Sequence, residues 1–153
     1  MESESYVKKE SLLSFVINSV LSLLFLYLVF YPVENLPVWG VDGLLLDSMI
    51  QGFAIGLMAS LVPTLITSKR VAVGKLNGFK MRDNWLSRHY IIASLLFALL
   101  SALLSLMINF GGFLLLDINS VSFNSALLFK VIFGGVLGAL VTYKSLPIVK
   151  IKS

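Results

Sequence analysis

At 153 residues, 58% hydrophobic and 13% charged, with a mean hydropathy of +0.93, the chain carries about half the charge of a soluble domain, for which roughly 25% is usual. Lipid rather than water must face most of its side chains, so a soluble domain is excluded and one compact membrane domain is expected. The lack of cysteine excludes a disulfide framework, a thiolate metal site and a dithiol relay, and the net charge of +4 lies in short segments beside apolar stretches, where topology and anionic lipid account for it without nucleic acid.

Taken in order, Lys8 and Lys9 precede a charge-free span over 11–31, 21 residues long. It is too long for the apolar region of a cleaved signal, and no small-residue cleavage pattern follows Tyr31, so it should remain as an anchor. Pro32 and Pro37 end it, and Asp42-Gly43 offers a side-chain cap for a second span over 44–67, whose single charge is Asp47. A basic stretch over 68–89 follows, with Lys69, Arg70, Lys75, Lys80, Arg82 and Arg88. Its Gly74 and Gly78 argue against one continuous surface helix, and it reads as a lipid-touching loop from which Phe79, Met81, Trp85 and Leu86 could dip into the interface. The third span, 90–110, carries no charge; the fourth, 126–143, contains Lys130, has Ser122 or Asn124 as candidate caps, and is followed by Lys144, Lys150 and Lys152. Each span is long enough to cross a hydrocarbon core of about 30 Å at about 1.5 Å per residue, and helix is the state that satisfies its backbone in lipid.

Eleven of the twelve Lys and Arg residues fall on one side of these spans, while the connections 32–43 and 111–125 hold Glu34, Asp42 and Asp117 but no Lys or Arg. The charge rule therefore predicts an all-α, up-down-up-down bundle of four transmembrane helices with both termini and the loop 68–89 in the cytoplasm, its basic residues against anionic headgroups. Trp85 and Tyr90 at the inner boundary, with Tyr31 and Trp39 at the outer one, fit rings seated at headgroup depth.

The second span carries Ser48, Gly52, Gly56 and Ser60 at spacing four, and the fourth carries Gly134, Gly138 and Thr142. Such faces let helix backbones approach closely, either inside the bundle or at an oligomer interface, and if the two hairpins are related they form a parallel repeat. The first and third spans carry complementary stripes, Ser14, Asn18 and Ser22, then Ser94, Ala98, Ser101 and Ser105, expected to point inward. Their hydroxyls either bond neighbouring carbonyls or, with Asn18, Ser22 and Ser101, line a polar pathway. Lys130 enters the fourth span about 8 Å below its outer boundary. It pairs with Asp47 at similar depth, snorkels to the outer headgroups, or serves as a substrate-coupled charge.

Catalysis finds no foothold: the single His is His89, at a boundary, with Asp83 six residues away, and no nucleophile, metal or cofactor constellation accompanies them. The stretch Val38-Trp39-Gly40-Val41-Asp42-Gly43, ahead of a helix ending in Lys69-Arg70, resembles small uncharacterised four-helix inner-membrane proteins of bacteria, some loosely called permeases. The resemblance covers the first hairpin and implies a bacterial inner membrane but no activity. The expected function is a non-catalytic membrane protein acting through helix association, as a homo-oligomer or with a membrane partner; the alternative is a small oligomeric transporter or channel.

Overall fold

The computed structural model describes residues 3–150, and of Ser3, Leu86, Val149 and Lys150 the backbone alone; Lys152 lies outside the described residues. The elements run α1 (Ser3–Phe30), β1 (Asn35–Pro37), α2 (Leu44–Ala72), β2 (Phe79–Met81), α3 (Trp85–Arg88), α4 (Tyr90–Leu115), β3 (Ser120–Ser122), α5 (Phe123–Ser145) and β4 (Ile148–Lys150). Among the described residues, α1, α2, α4 and α5 are long and apolar enough to cross a membrane.

The helices outrun the apolar spans because backbone hydrogen bonding does not stop where hydropathy does. In α1 the early turns hold a Glu4–Lys8 pair at 2.7 Å, and Tyr6, Val7 and Glu10 turn inward. At the other end of α2, Lys69 and Arg70 occupy the last turn, where cations complement the exposed carbonyls. The stretch 68–89 is therefore not a simple loop: it holds the end of α2, then β2, then α3. Gly74 and Gly78, with φ of 75° and 83°, supply the left-handed turns that bring β2 back across the bundle end. Phe79 does not dip into lipid; it is buried with Tyr6, Val7, Leu146 and Ile148.

The expected Asp42-Gly43 side-chain cap is also absent: Gly43 is the cap residue of α2 and no side chain bonds the first turn. Instead the amide of Leu45 donates to the carbonyl of Val38 at 3.2 Å, and that carbonyl lies where a Cβ on Gly43 would stand. A loop carbonyl thus replaces the side-chain acceptor, and glycine is needed to let it approach. In α5 Ser122 is the cap, accepting from the amide of Ser125.

The strands tie the connections together at both ends. β1 pairs antiparallel with β3, Leu36 opposite Val121, and β2 with β4, Lys80 opposite Val149. One end of the bundle is thus closed by β2–β4 and carries the basic residues; the other is closed by β1–β3, with Trp39 Nε1 donating to Asn119 Oδ1 at 3.0 Å. The order α1-β1-α2-β2 recurs as α4-β3-α5-β4, and each strand pairs with its counterpart.

Helix packing follows the same exchange. α1 lies along α5 and α4 along α2, while α2 and α5 meet at the centre; α1 barely touches α2, and α4 barely touches α5. The side chains show why. Gly52 and Gly56 of α2 face Ser105 and Ser101 of α4, and a Cβ on them would stand 2.7 Å from Ser105 Cβ and 2.6 Å from Ser101 Oγ. Gly134 and Gly138 of α5 likewise face Ser22 and Asn18 of α1. Small residues meet small polar ones, which permits close backbones and interhelical bonds together. Ser105 Oγ donates to the carbonyl of Ser48 at 2.7 Å, and Ser14 Oγ to that of Gly138 at 3.1 Å. Pro63 inside α2 leaves the carbonyl of Ala59 without its helical donor, and Thr142 Oγ1 of α5 supplies one at 2.7 Å.

The result is a polar interior with an apolar exterior. Ser14, Asn18, Ser22, Ser94, Ser101 and Ser105 are buried, while leucines such as Leu12, Leu28, Leu99, Leu103 and Leu115 are exposed.

Candidate functional site

Because α1 packs on α5 rather than on its sequence neighbour α2, a groove runs between α1 and α2. Near the basic end it widens to a cavity of about 120 Å³ lined by Glu10, Ser14, Asn18, Met58 and Pro63 among others. Farther along, a cavity of about 220 Å³ is lined by Asn18, Leu21, Ser22, Phe25, Gln51, Ala54, Ile55 and Met58. Asn18, Leu21 and Met58 line both, so the two form one continuous groove. The clefts on the α4 side are far tighter, at about 40 and 10 Å³.

Three side chains that line the larger cavity carry unpaired polar atoms, but these are sealed from it and the cavity wall is apolar. Asn18 is 3% exposed, Ser22 0% and Gln51 9%, and Asn18 Oδ1, Ser22 Oγ and Gln51 Nε2 have no hydrogen-bond partner among the described residues. Their orientations are fixed by what the other atoms do. Asn18 Nδ2 donates to the carbonyl of Ser14 at 2.8 Å and to its hydroxyl at 3.0 Å, so a flipped amide would set oxygen against a carbonyl. Gln51 Oε1 accepts from Lys130 Nζ at 3.1 Å, which an amide nitrogen could not do. The unpaired atoms lie behind an apolar groove wall, Ser22 Oγ against Gly134 of α5. Ser22 is eight residues from the end of α1 and Gln51 seven from the start of α2, so these groups lie about 10 to 12 Å along the helices from the β1–β3 end.

Behind Gln51, the ammonium of Lys130 meets the carboxylate of Asp47. Lys130 is 3% exposed, so it does not snorkel to the surface; α2 and α5 enclose it. At the basic end, Glu10 is buried beneath Arg70, whose Nη1 reaches Glu10 Oε1 at 2.5 Å and Tyr6 Oη at 3.0 Å; Tyr6 Oη lies 3.1 Å from Thr67 Oγ1. Lys69, Lys75, Lys80, Arg82 and Arg88 are exposed.

The residues singled out in the sequence are thus split between seams. Asn18 and Ser22 reach the groove; Ser101 is packed against Gly56 on the far side of α2, away from it. Gly52, Gly56 and Ser60 are buried in α2, and Gly134 and Gly138 in α5, each glycine covered by a neighbouring helix of the same chain. The two glycine faces meet serine and asparagine stripes and not each other. Asp83 is held by Arg88 at 2.8 and 3.0 Å, which keeps its carboxyl below the usual range, and His89 stacks on Trp85 with ring centroids 5.8 Å apart.

Gln51, Glu10 and Tyr6 were not picked out from sequence. Gln51 had a signal: an amide within an apolar span, one turn after Asp47, is costly in lipid and calls for a partner. Glu10 and Tyr6 lie before the apolar span, where nothing in hydropathy separates a buried side chain from a solvated one.

Among the described residues, four helices long and apolar enough to cross a membrane surround a polar interior, the build expected of a multi-pass membrane protein. No protein-family model matches it, and no curated protein or solved structure is significantly similar to it.

Proposed function

We propose that this chain is a small non-enzymatic membrane carrier whose solute occupies the α1–α2 groove. The observation that carries the reading is the groove itself, which stays open between α1 and α2 with cavities of about 120 and 220 Å³ and an apolar wall, because α1 packs on α5. Association through the glycine faces has less support, because those faces are already filled by α1 and α4. The basic end faces the cytoplasm by the charge rule, where exposed Lys69, Lys75, Lys80, Arg82 and Arg88 meet anionic headgroups, and the first-hairpin resemblance supports a bacterial inner membrane.

The chain's lack of cysteine makes the test direct. In membrane vesicles, Asn18→Cys should react with N-ethylmaleimide, because solute reaches the groove, whereas Ser101→Cys, closed against Gly56, should stay protected. Equal protection of both would remove the carrier reading and leave an accessory role.

A further inference from the structure

The α1–α2 groove has two ends, and they are closed by different means. We propose that Arg70 is a lid over the basic end: held down on Glu10 and Tyr6 it shuts the groove from water on that side, and swung outward it admits solute. This rests on the carrier reading of the same groove.

The side-chain hydrogen bonds that join α1 to α2 gather at this end. Arg70 Nη1 donates to Glu10 Oε1 at 2.5 Å and to Tyr6 Oη at 3.0 Å, and Tyr6 Oη lies 3.1 Å from Thr67 Oγ1. Glu10 lines the groove, and so does Ile66, one helical turn before Arg70, so the guanidinium bridges the two helices where the groove reaches the bundle end. Burial decides which group moves. The Glu10 side chain is 8% exposed and that of Arg70 41%, so the guanidinium can pass into water on its long stem while the carboxylate stays. A pair exposed to this extent is weakly held, because water and salt ions compete for it. Tyr6 is fixed by packing against Val7, Phe79, Leu146 and Ile148, so the rim stays in place when the lid lifts. The opposite end offers no such exchange: Leu26 and Phe30 of α1, Leu36 of β1 and Leu44 of α2 are buried in one cluster, and parting them would bare apolar surface to water.

The test follows Asn18→Cys in the full chain, in membrane vesicles of both orientations, with a membrane-impermeant methanethiosulfonate bearing a trimethylammonium group. Applied from the side that carries the basic end, the reagent should modify the cysteine slowly, and Arg70→Ala should raise the rate about tenfold or more, as loss of a hydrogen bond to a charged group implies. Glu10→Gln weakens the hold on Arg70 without removing it and should give an intermediate rise. From the opposite side the rate should not respond to Arg70. A second measurement needs no substitution at the lid: raising the ionic strength should speed modification with Arg70 in place, and not in Arg70→Ala. Ser101→Cys combined with Arg70→Ala should stay protected; if it reacts, that variant has lost its fold and the salt series alone decides. Rates indifferent to Arg70→Ala and to salt, while N-ethylmaleimide still reacts at Asn18→Cys, overturn the lid and leave the carrier standing. If neither reagent reacts at Asn18→Cys in any variant, both readings end.

Discussion

Lys130 brings a full charge into a seam that its own side chain cannot leave, and Asp47 and Gln51 are the groups that make this tolerable. Desolvating both ions is costly, so the pair adds little net stability, but stranding one of them is expensive. Lys130→Met should therefore lower stability in detergent by about 3 kcal/mol, and the double change Lys130→Met with Asp47→Asn should restore at least half of that loss. Additive single and double mutants in a thermal or chemical unfolding series would mean the pair is not coupled. From sequence, Lys130 and Asp47 were visible as charges at similar depth, yet pairing and snorkelling stayed equally open. What separated them was the seam between α2 and α5, which encloses Lys130, and that depends on tertiary packing no local pattern encodes. Gln51 completes the arrangement by turning its oxygen to Lys130, which leaves its nitrogen buried without a partner among the described residues.

Helix identity and inward faces were legible because spacing four in α1, α2, α4 and α5 is a periodic signal. Partner choice was not, since a glycine face states that something approaches closely without saying what. The structure answers with serine and asparagine stripes, each glycine face meeting one of them and not the other glycine face. Gly56→Leu should disturb α2 against α4, and Gly138→Leu should disturb α5 against α1, each by about 2 to 3 kcal/mol as overpacking at a closed seam. Unfolding monitored alongside the oligomer distribution checks this: unchanged stability with a lost oligomer would move the glycines to an intermolecular interface. The strand ribbons were illegible for a simpler reason. Three-residue strands such as Phe79–Met81 are too short to show a period of two, and their pairing partners lie far along the chain.

The molecule as a whole repeats one motif, helix, strand, helix, strand, with the first helix of each half seated on the second helix of the other. The sequence suggested a parallel repeat through its glycines, and the charge rule predicts the orientation from eleven basic residues on one side of the spans. A reporter inserted near Gly78 should read cytoplasmic and one near Asn119 external; the reverse at Gly78 would invert the whole assignment. The groove itself was hidden, because hairpin-linked helices would ordinarily be expected to pack together. Its existence depends on α1 leaving α2 for α5.

Disulfide crosslinking in native membranes tests that exchange most directly, starting from the cysteine-free chain. Ser48→Cys with Ser105→Cys lies across the closed α2–α4 seam, where the Ser105 hydroxyl reaches the Ser48 carbonyl at 2.7 Å, and mild oxidation should link the pair rapidly. Leu21→Cys with Met58→Cys faces across the α1–α2 groove and should link only through a longer bifunctional thiol reagent. Rapid direct linkage of 21 to 58 with none between 48 and 105 would mean that α1 packs on α2 as a simple hairpin, and the groove, with the function assigned to it, would not exist.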